Sequence, residues 1–126
     1  MLAFAFASAL ACTSPAVVDG DTIRCANLGR VRLLGIDAPE MAGHCRRGRV
    51  CAPGDPLASK RAMARMLGAS KITVEPITRD RYGRVVGIVR GGRVNISCAQ
   101  LRAGLAIYKP KWDNGRRIAK ECPDAQ

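Results

Sequence analysis

The stretch VVDGDTIRCANLGRVRLLGIDAPE, residues 17–40, contains the clearest structural signals in the chain. Its segments TIRCA (22–26) and VRLLGI (31–36) have the alternating or apolar character of β-strands, and a turn-forming Asn and Gly lie between them. The stretch therefore predicts a β-hairpin. Acidic residues stand directly before the first strand and directly after the second, so the hairpin would bring them to one edge of the sheet.

The rest of the chain predicts short helices and further strands around this hairpin. Asp55, Asn95 and Asp113 are each positioned to cap the start of a helix. Strands are predicted in KITVEPI (71–77), VVGIVR (85–90), RVNI (93–96) and LAIY (105–108). This order favours an α+β fold, a five-stranded, closed or partly closed antiparallel Greek-key barrel of the OB type with about three α-helices.

The chain has 126 residues, of which 21 are basic and 10 are acidic, and its formal net charge is +11. This length fits one domain, which we expect to span residues 12–126. Such a large positive charge favours a polyanionic partner, either nucleic acid or an acidic membrane surface. A basic globular domain without such a partner is the alternative, because charge alone does not define chemistry.

Residues 2–11, LAFAFASALA, form an uncharged apolar segment that is too short to span a bilayer. Its small final residues fit a signal-peptidase site, so we expect residues 1–11 to be a signal peptide and the protein to be secreted or periplasmic. The basic residues that usually precede such a segment are missing, so either the true start lies upstream or the signal is minimal. A first β-strand is the alternative.

Six cysteines follow the predicted signal peptide, and none belongs to a Cys-x-x-Cys metal-binding pair. An even number of cysteines in a short exported chain is typical of disulfide bonds. We expect the pairs Cys12–Cys25, Cys45–Cys51 and Cys98–Cys122. Lipidation of Cys12 ranks lower, because it would leave one cysteine unpaired.

Two acidic pairs flank the predicted hairpin: Asp19 and Asp21 precede it, and Asp37 and Glu40 follow it. If Asp21 faces Asp37, two carboxylates, a backbone carbonyl and water would form a site of hard oxygen ligands suited to Ca²⁺. The cation would also relieve the repulsion between neighbouring carboxylates. Taken singly, each pair is a common turn motif. A single histidine and the lack of Cys-His spacing argue against zinc.

Four motifs occur in the order VVDGDT (17–22), RLLGIDAPE (32–40), DRYGR (80–84) and LRAGLA (101–106). Through them, residues from about 16 to 112 resemble the staphylococcal nuclease family of thermonuclease-like domains. The resemblance implies a five-stranded OB-type barrel with three helices. It also implies Ca²⁺-dependent hydrolysis of phosphodiester bonds in DNA, RNA or both, with endonucleolytic cleavage that leaves 3′-phosphate ends.

The resemblance implies a set of metal ligands. Asp21 and Asp37 match the family's metal-binding acids, and Asp19 matches an outer-shell acid. Ala38 matches the residue that offers its backbone carbonyl to the metal. The family usually has threonine at this position, and alanine keeps the carbonyl while losing only the hydroxyl.

The resemblance also implies the catalytic and substrate-binding groups. Arg32 and Arg84 match two catalytic arginines, and Glu40 matches the acid that orients or deprotonates the attacking water. Tyr82 matches a tyrosine that lines the nucleotide pocket, and Tyr108 is the candidate for a second one. These residue types suit the reaction, because an arginine fork can stabilise charge that develops on a phosphate.

The loop GHCRRGRVCAPG (43–54) departs from the lysine-rich loop that is usual in the family. Its Arg46, Arg47 and Arg49 are candidates for binding the phosphates of longer substrates, and a solvated basic loop is the alternative. Trp112 is expected to pack at the edge of the barrel, with base stacking as the alternative.

Two other functions compete with catalysis. A non-catalytic OB-fold module would bind nucleic acid without cutting it, but such copies normally lose the arginines or acids that this chain keeps. A membrane-active basic protein would need a long basic amphipathic helix, which the sequence lacks, so we expect no stable membrane association. We therefore predict a monomeric Ca²⁺-dependent nuclease that acts on DNA, RNA or both.

Overall fold

The computed structural model describes residues 9–126, which form a series of short strands and three α-helices. The strands before the first helix are β1 (Leu10–Ala11), β2 (Ala16–Asp19), β3 (Thr22–Cys25), β4 (Gly29–Leu33) and β5 (Ile36–Asp37). Next come α1 (Pro56–Ala69), β6 (Ile72–Arg79), β7 (Val85–Gly91), β8 (Val94–Asn95), α2 (Ile96–Arg102), β9 (Ile107–Tyr108) and α3 (Arg117–Glu121).

The main sheet has the strand order β1-β6-β7-β4-β3-β2, with β8 paired to β7. Strands β3 and β4 form the predicted hairpin, in which Thr22 lies opposite Arg32. Strands β4 and β7 run parallel, so the expectation of a wholly antiparallel sheet is wrong. The reason is connectivity: the chain leaves β4, passes through α1 and returns as the β6–β7 hairpin, whose second strand lies beside β4 in the same direction.

The curled mixed sheet and its three α-helices form an OB-like α+β fold, which confirms the predicted fold class. One bend separates β5 from the main sheet. Gly35, two residues after the end of β4, adopts a left-handed conformation with φ of 78°. The chain therefore turns away from β4, and β5 pairs with β9 instead, with Asp37 opposite Ile107.

The core consists of aliphatic side chains from both the sheet and the helices. Its largest fully buried apolar members are Ile23, Val31, Leu33, Leu34, Ile36, Met63, Val74, Val89, Ile96 and Ile118. Helix α1 begins as predicted, with Pro56 in its first turn and with the Asp55 carboxylate accepting hydrogen bonds from two backbone amides. The helix packs on β2, so it lies behind the turn that carries Asp19 and Asp21.

All three predicted disulfides are present: Cys12–Cys25, Cys45–Cys51 and Cys98–Cys122. Residues 1–8, most of the predicted signal peptide, lie outside the described residues, and Leu10–Ala11 pair with Val74 and Thr73 of β6. Within residues 9–126, none of the helices has both the length and the apolar surface needed to cross a membrane.

Candidate active-site cleft

An open cleft of about 1310 Å³ runs across the sheet beside the β3–β4 hairpin. Most of the side chains that line it are charged. The lining residues predicted from the sequence are Asp19, Asp21, Arg32, Glu40, Arg46, Arg47, Arg49, Tyr82 and Arg84. The cleft therefore gathers nine of the twelve residues that sequence reasoning assigned to the site, while Asp37, Ala38 and Tyr108 are not in its lining.

The acidic turn between β2 and β3 is held in place from behind by a buried polar network. The Gln100 side chain donates hydrogen bonds to the backbone carbonyls of Gly20 and Ser59, at 2.9 and 3.0 Å. The Ser59 hydroxyl donates to the Leu105 carbonyl at 2.8 Å. A Cβ atom at Gly20 would lie only 1.8 Å from Ser59 Oγ, so this close approach of turn and helix requires glycine.

Asp21 links the acidic turn to β5. Its Oδ2 accepts a hydrogen bond from the Ala38 backbone amide at 2.8 Å, and its Oδ1 accepts one from the Thr22 hydroxyl at 2.8 Å. Asp19 Oδ1 in turn accepts a hydrogen bond from the Asp21 amide at 3.0 Å. Asp21 and Asp37 are 4% and 2% exposed, so both carboxylates are fixed by their surroundings.

Arg32 lies between the two buried acids. Its Nη2 atom is 3.5 Å from Asp21 Oδ2 and 3.5 Å from Asp37 Oδ1, and it donates a hydrogen bond to the Ile36 carbonyl at 3.3 Å. The guanidinium carbon lies 4.8 Å from the centre of the Trp112 ring, within the range of a cation–π contact. The two ends of the hairpin therefore converge on one arginine at the cleft.

Asp19, Asp21 and Asp37, which meet around Arg32, form an acidic corner in which negative charge is in excess. Burial, followed by the hydrogen bond with Asp21 and by its charge, raises the pKa of Asp19 to about 7. Burial and the nearby Asp21 charge raise the pKa of Asp37. Burial opposes ionisation of Asp21 as well, but the hydrogen bond with Asp19 and the charge of Arg32 outweigh it and lower the pKa of Asp21. The raised values indicate that further positive charge would stabilise the cluster.

The chemistry of these donors fits Ca²⁺, which binds carboxylate, carbonyl and water oxygens. Asp21 and Asp37 meet at one arginine nitrogen, and Asp19 is hydrogen-bonded to the same turn. Over residues 9–126, however, no three or more His, Cys, Asp or Glu side chains are grouped so that they could hold a metal ion. An ion here would need backbone, water or substrate oxygens in addition to the acids.

Glu40 lies at the rim of the same corner and makes an ion pair with Arg49 of the disulfide-closed loop. Arg49 also contacts Asp37, with Nη2 3.3 Å from Oδ1. The sequence indicated Arg49 as a phosphate-binding residue, but it gave no signal for contacts with the acids. Arg46 and Arg47 line the cleft without an ion pair among the described residues.

Arg84 reaches the cleft from the turn between β6 and β7. Its Nε donates to Asp80 Oδ2 at 2.6 Å, and Asp80 Oδ1 accepts hydrogen bonds from the Tyr82 and Arg84 amides at 2.9 and 3.0 Å. Asp80 thus fixes both the turn and the guanidinium. The Tyr82 ring is 58% exposed, and the Arg84 guanidinium carbon lies 5.6 Å from its centre.

Of the two aromatic residues near the C-terminal part of the site, Trp112 lines the cleft and Tyr108 does not. The Tyr108 hydroxyl donates to Asp113 Oδ2 at 2.7 Å, and this carboxylate also accepts hydrogen bonds from the first amides of α3. Trp112 is 39% exposed and lines the cleft, in contact with Arg32. Trp112 therefore lies next to the acidic corner. Of the two roles considered from the sequence, only base stacking would place it at the substrate cleft.

A family model described as "Staphylococcal nuclease homologue" matches residues 30–126. The matched range includes Arg32, Asp37, Glu40 and Arg84, and it begins after Asp19 and Asp21.

Curated relatives have related names. A probable staphylococcal-like nuclease of Oryza sativa subsp. japonica is 31% identical over 97 residues, which cover 77% of this chain and 26% of that protein. An uncharacterized endonuclease of Escherichia coli is 34% identical over 98 residues, which cover 74% of this chain and 58% of that protein. The chain thus spans about a quarter of the rice protein and somewhat more than half of the bacterial one.

Proposed function

This chain belongs to the family of staphylococcal nuclease homologues, and on that premise we propose that it is a Ca²⁺-dependent nuclease. It hydrolyses phosphodiester bonds in DNA, RNA or both, endonucleolytically and with 3′-phosphate products. The observation that carries the proposal is that Asp21 and Asp37 converge on Arg32, which lines the same cleft as Glu40 and Arg84.

The arginines are suited to bind and stabilise a phosphodiester. Hydrolysis adds charge to the phosphate oxygens in the transition state, and guanidinium groups that are already in place stabilise that charge. Asp80 holds Arg84 through its Nε atom, which leaves the two terminal nitrogens for a phosphate. Trp112 packs on the Arg32 guanidinium and limits the directions in which it can point.

Glu40 supplies the base. As a partly exposed carboxylate at the rim of the acidic corner, it can accept a proton from a water molecule that attacks the phosphorus. Asp21, Asp37 and the Ala38 carbonyl are the groups that would hold Ca²⁺, with Asp19 in the outer shell. When bound, the ion would neutralise phosphate charge and acidify the attacking water.

The net charge supports the proposed substrate class, and the disulfides support the proposed location of the protein. A net charge of +11 attracts a polyanion, and the exposed Tyr82 ring can pack against a base. Three disulfides are typical of an oxidising compartment, so we propose that the protein is exported, either secreted or periplasmic, and that it acts as a monomer.

The second candidate is an OB-fold module that binds nucleic acid without cutting it. The basic cleft favours binding of either kind, so it does not discriminate between the two functions. The discriminating property is dependence on a metal ion. A binding module would retain its substrate intact whether Ca²⁺ or a chelator were present.

The experiment is cleavage of plasmid DNA and of single-stranded RNA by the oxidised protein, with Ca²⁺ or with a calcium chelator. We expect cleavage that requires Ca²⁺. Arg32→Ala should abolish it while substrate binding remains, and Arg24→Ala, which removes the same charge from an exposed position outside the cleft, should cleave normally. Wild-type protein that binds nucleic acid but never cuts it would instead support the binding module.

A further inference from the structure

The disulfide-closed loop, residues 45–51, contributes a guanidinium to the acidic corner. Arg49 Nη1 pairs with Glu40 Oε1, and Arg49 Nη2 lies 3.3 Å from Asp37 Oδ1. Asp37 Oδ1 is therefore shared between Arg49 and Arg32. Of these four side chains, Arg49 alone comes from the loop.

These contacts use the acids that the proposed function needs. The Arg49 guanidinium occupies the Glu40 Oε1 atom, so this oxygen is not free to contact an attacking water while the pair persists. Asp37 loses ligand strength for a cation in the same way. Without substrate, Arg49 therefore competes with the attacking water for Glu40 and with the metal ion for Asp37.

The loop has the freedom to release this contact. Residues 42–50 are all exposed. Among the described residues, the only ion pairs between this loop and the rest of the protein are those of Arg49. Within the loop, the Arg49 amide bonds to the Arg46 carbonyl at 3.0 Å, and the Cys45–Cys51 disulfide restricts how far Arg49 can move. The Arg49 side chain is 36% exposed and lines the cleft, so a ligand in the cleft can reach it.

We propose that Arg49 is a specificity-determining residue that exchanges between its own carboxylates and a phosphate of a long polynucleotide. This inference rests on the proposed nuclease function. A long strand offers a phosphate beside the scissile one, which draws Arg49 away and frees Glu40 and Asp37. A dinucleotide has only the scissile phosphate, which Arg32 and Arg84 bind. Arg49 therefore remains paired with the two carboxylates, and the reaction is slow.

The first test measures Ca²⁺ binding without any substrate, by isothermal titration calorimetry with CaCl₂. Arg49→Gln should bind Ca²⁺ at least about threefold more tightly than wild type, by the scale of a partly exposed ion pair. Arg47→Gln removes an equal charge from the same loop and is the control, because Arg47 has no ion pair among the described residues. Equal affinities for the two variants would overturn the proposal.

The second test compares kcat/KM for a dinucleotide and for a single-stranded oligonucleotide of about 16 nucleotides. In Arg49→Gln, the rate on the dinucleotide should rise and that on the long strand should fall, so the preference for length shrinks. If the ratio of kcat/KM for the long strand to that for the dinucleotide is the same in Arg49→Gln and wild type, Arg49 does not exchange between the carboxylates and a phosphate.

The two tests separate this inference from the proposed function. If wild-type protein neither binds Ca²⁺ nor cleaves the long strand, the nuclease proposal fails. If it does both, and Arg49→Gln behaves as Arg47→Gln in calorimetry, only the role of Arg49 is wrong.

Discussion

Arg84 is held by Asp80, a residue that the sequence placed next to the site but to which it gave no role. The carboxylate fixes the guanidinium through Nε and fixes the turn through two amides. Asp80→Asn keeps the amide contacts and weakens the charged one. We expect kcat to fall by about tenfold, the effect of one weakened charge-assisted hydrogen bond, with little change in KM. Single-turnover cleavage would measure this, and an unchanged kcat would show that Arg84 needs no support.

Trp112 should likewise act through the arginine that it contacts. Trp112→Leu removes the ring from the Arg32 guanidinium and leaves an apolar side chain at the rim. Loss of a cation–π contact of about 1 kcal/mol should lower kcat by roughly fivefold. If Trp112 served only to stack a base, KM would rise and kcat would stay constant, so the two roles are separable by steady-state kinetics.

At the scale of elements, the packing of α1 on the acidic turn depends on Gly20. In Gly20→Ala, the added methyl group would lie 1.8 Å from Ser59 Oγ and 2.9 Å from Ala38 Cβ. We expect a loss of about 2 kcal/mol in unfolding free energy, typical of overpacking, together with reduced activity. Urea unfolding measures the first effect and the cleavage assay the second.

The matched control is Gly68→Ala within α1, where an added Cβ meets no atom within 4 Å. The same chemical change should there stabilise the protein by about 0.5–1 kcal/mol, because alanine is the better helix former. Equal effects at the two positions would mean that the turn does not pack as described.

The elements that could be predicted from the sequence are those that depend on local signals, and the others depend on contacts between distant segments. The start of α1 at Asp55 and Pro56, the β3–β4 hairpin and the three disulfides depend on local signals or on cysteine spacing, and the sequence predicted them. The β5–β9 pairing and the parallel β4–β7 pair join segments far apart in the chain. Their partners are selected by packing, for which a single sequence has no local signal.

The same distinction applies to the site. The acids and arginines of the cleft could be identified from short motifs that lie at the ends of strands. The ion pairs of Arg49 could not, because they depend on how a long loop folds back onto the acids. The hydrogen bond from Tyr108 to Asp113 could not either, because it depends on the short 3-10 turn at Pro110–Trp112.

For the whole molecule, an ion pair between Arg90 and Glu121 connects the sheet to α3. The hydrogen bond from Arg90 lowers the pKa of Glu121 below its ordinary value of 4.5. A lowered pKa means that this stabilisation is present above the unfolded pKa and disappears as the pH falls through the folded one. Glu121→Gln should cost up to about 1 kcal/mol near neutral pH.

That cost should vanish in acid. Once the pH falls below the lowered pKa of Glu121, the wild-type carboxyl is protonated and both proteins should unfold at the same urea concentration. A difference that persists in acid would show that Glu121 stabilises the protein by packing and not by charge.

Arg32, which lies between Asp21 and Asp37, is proposed to stabilise the phosphate during cleavage. The most direct measurement is the single-turnover rate of Arg32→Lys at saturating Ca²⁺ and substrate. Lysine keeps the charge but not the fork, so we predict a fall of about 100-fold or more, with substrate affinity nearly unchanged. A rate within about twofold of wild type would contradict the account, because charge alone would then suffice.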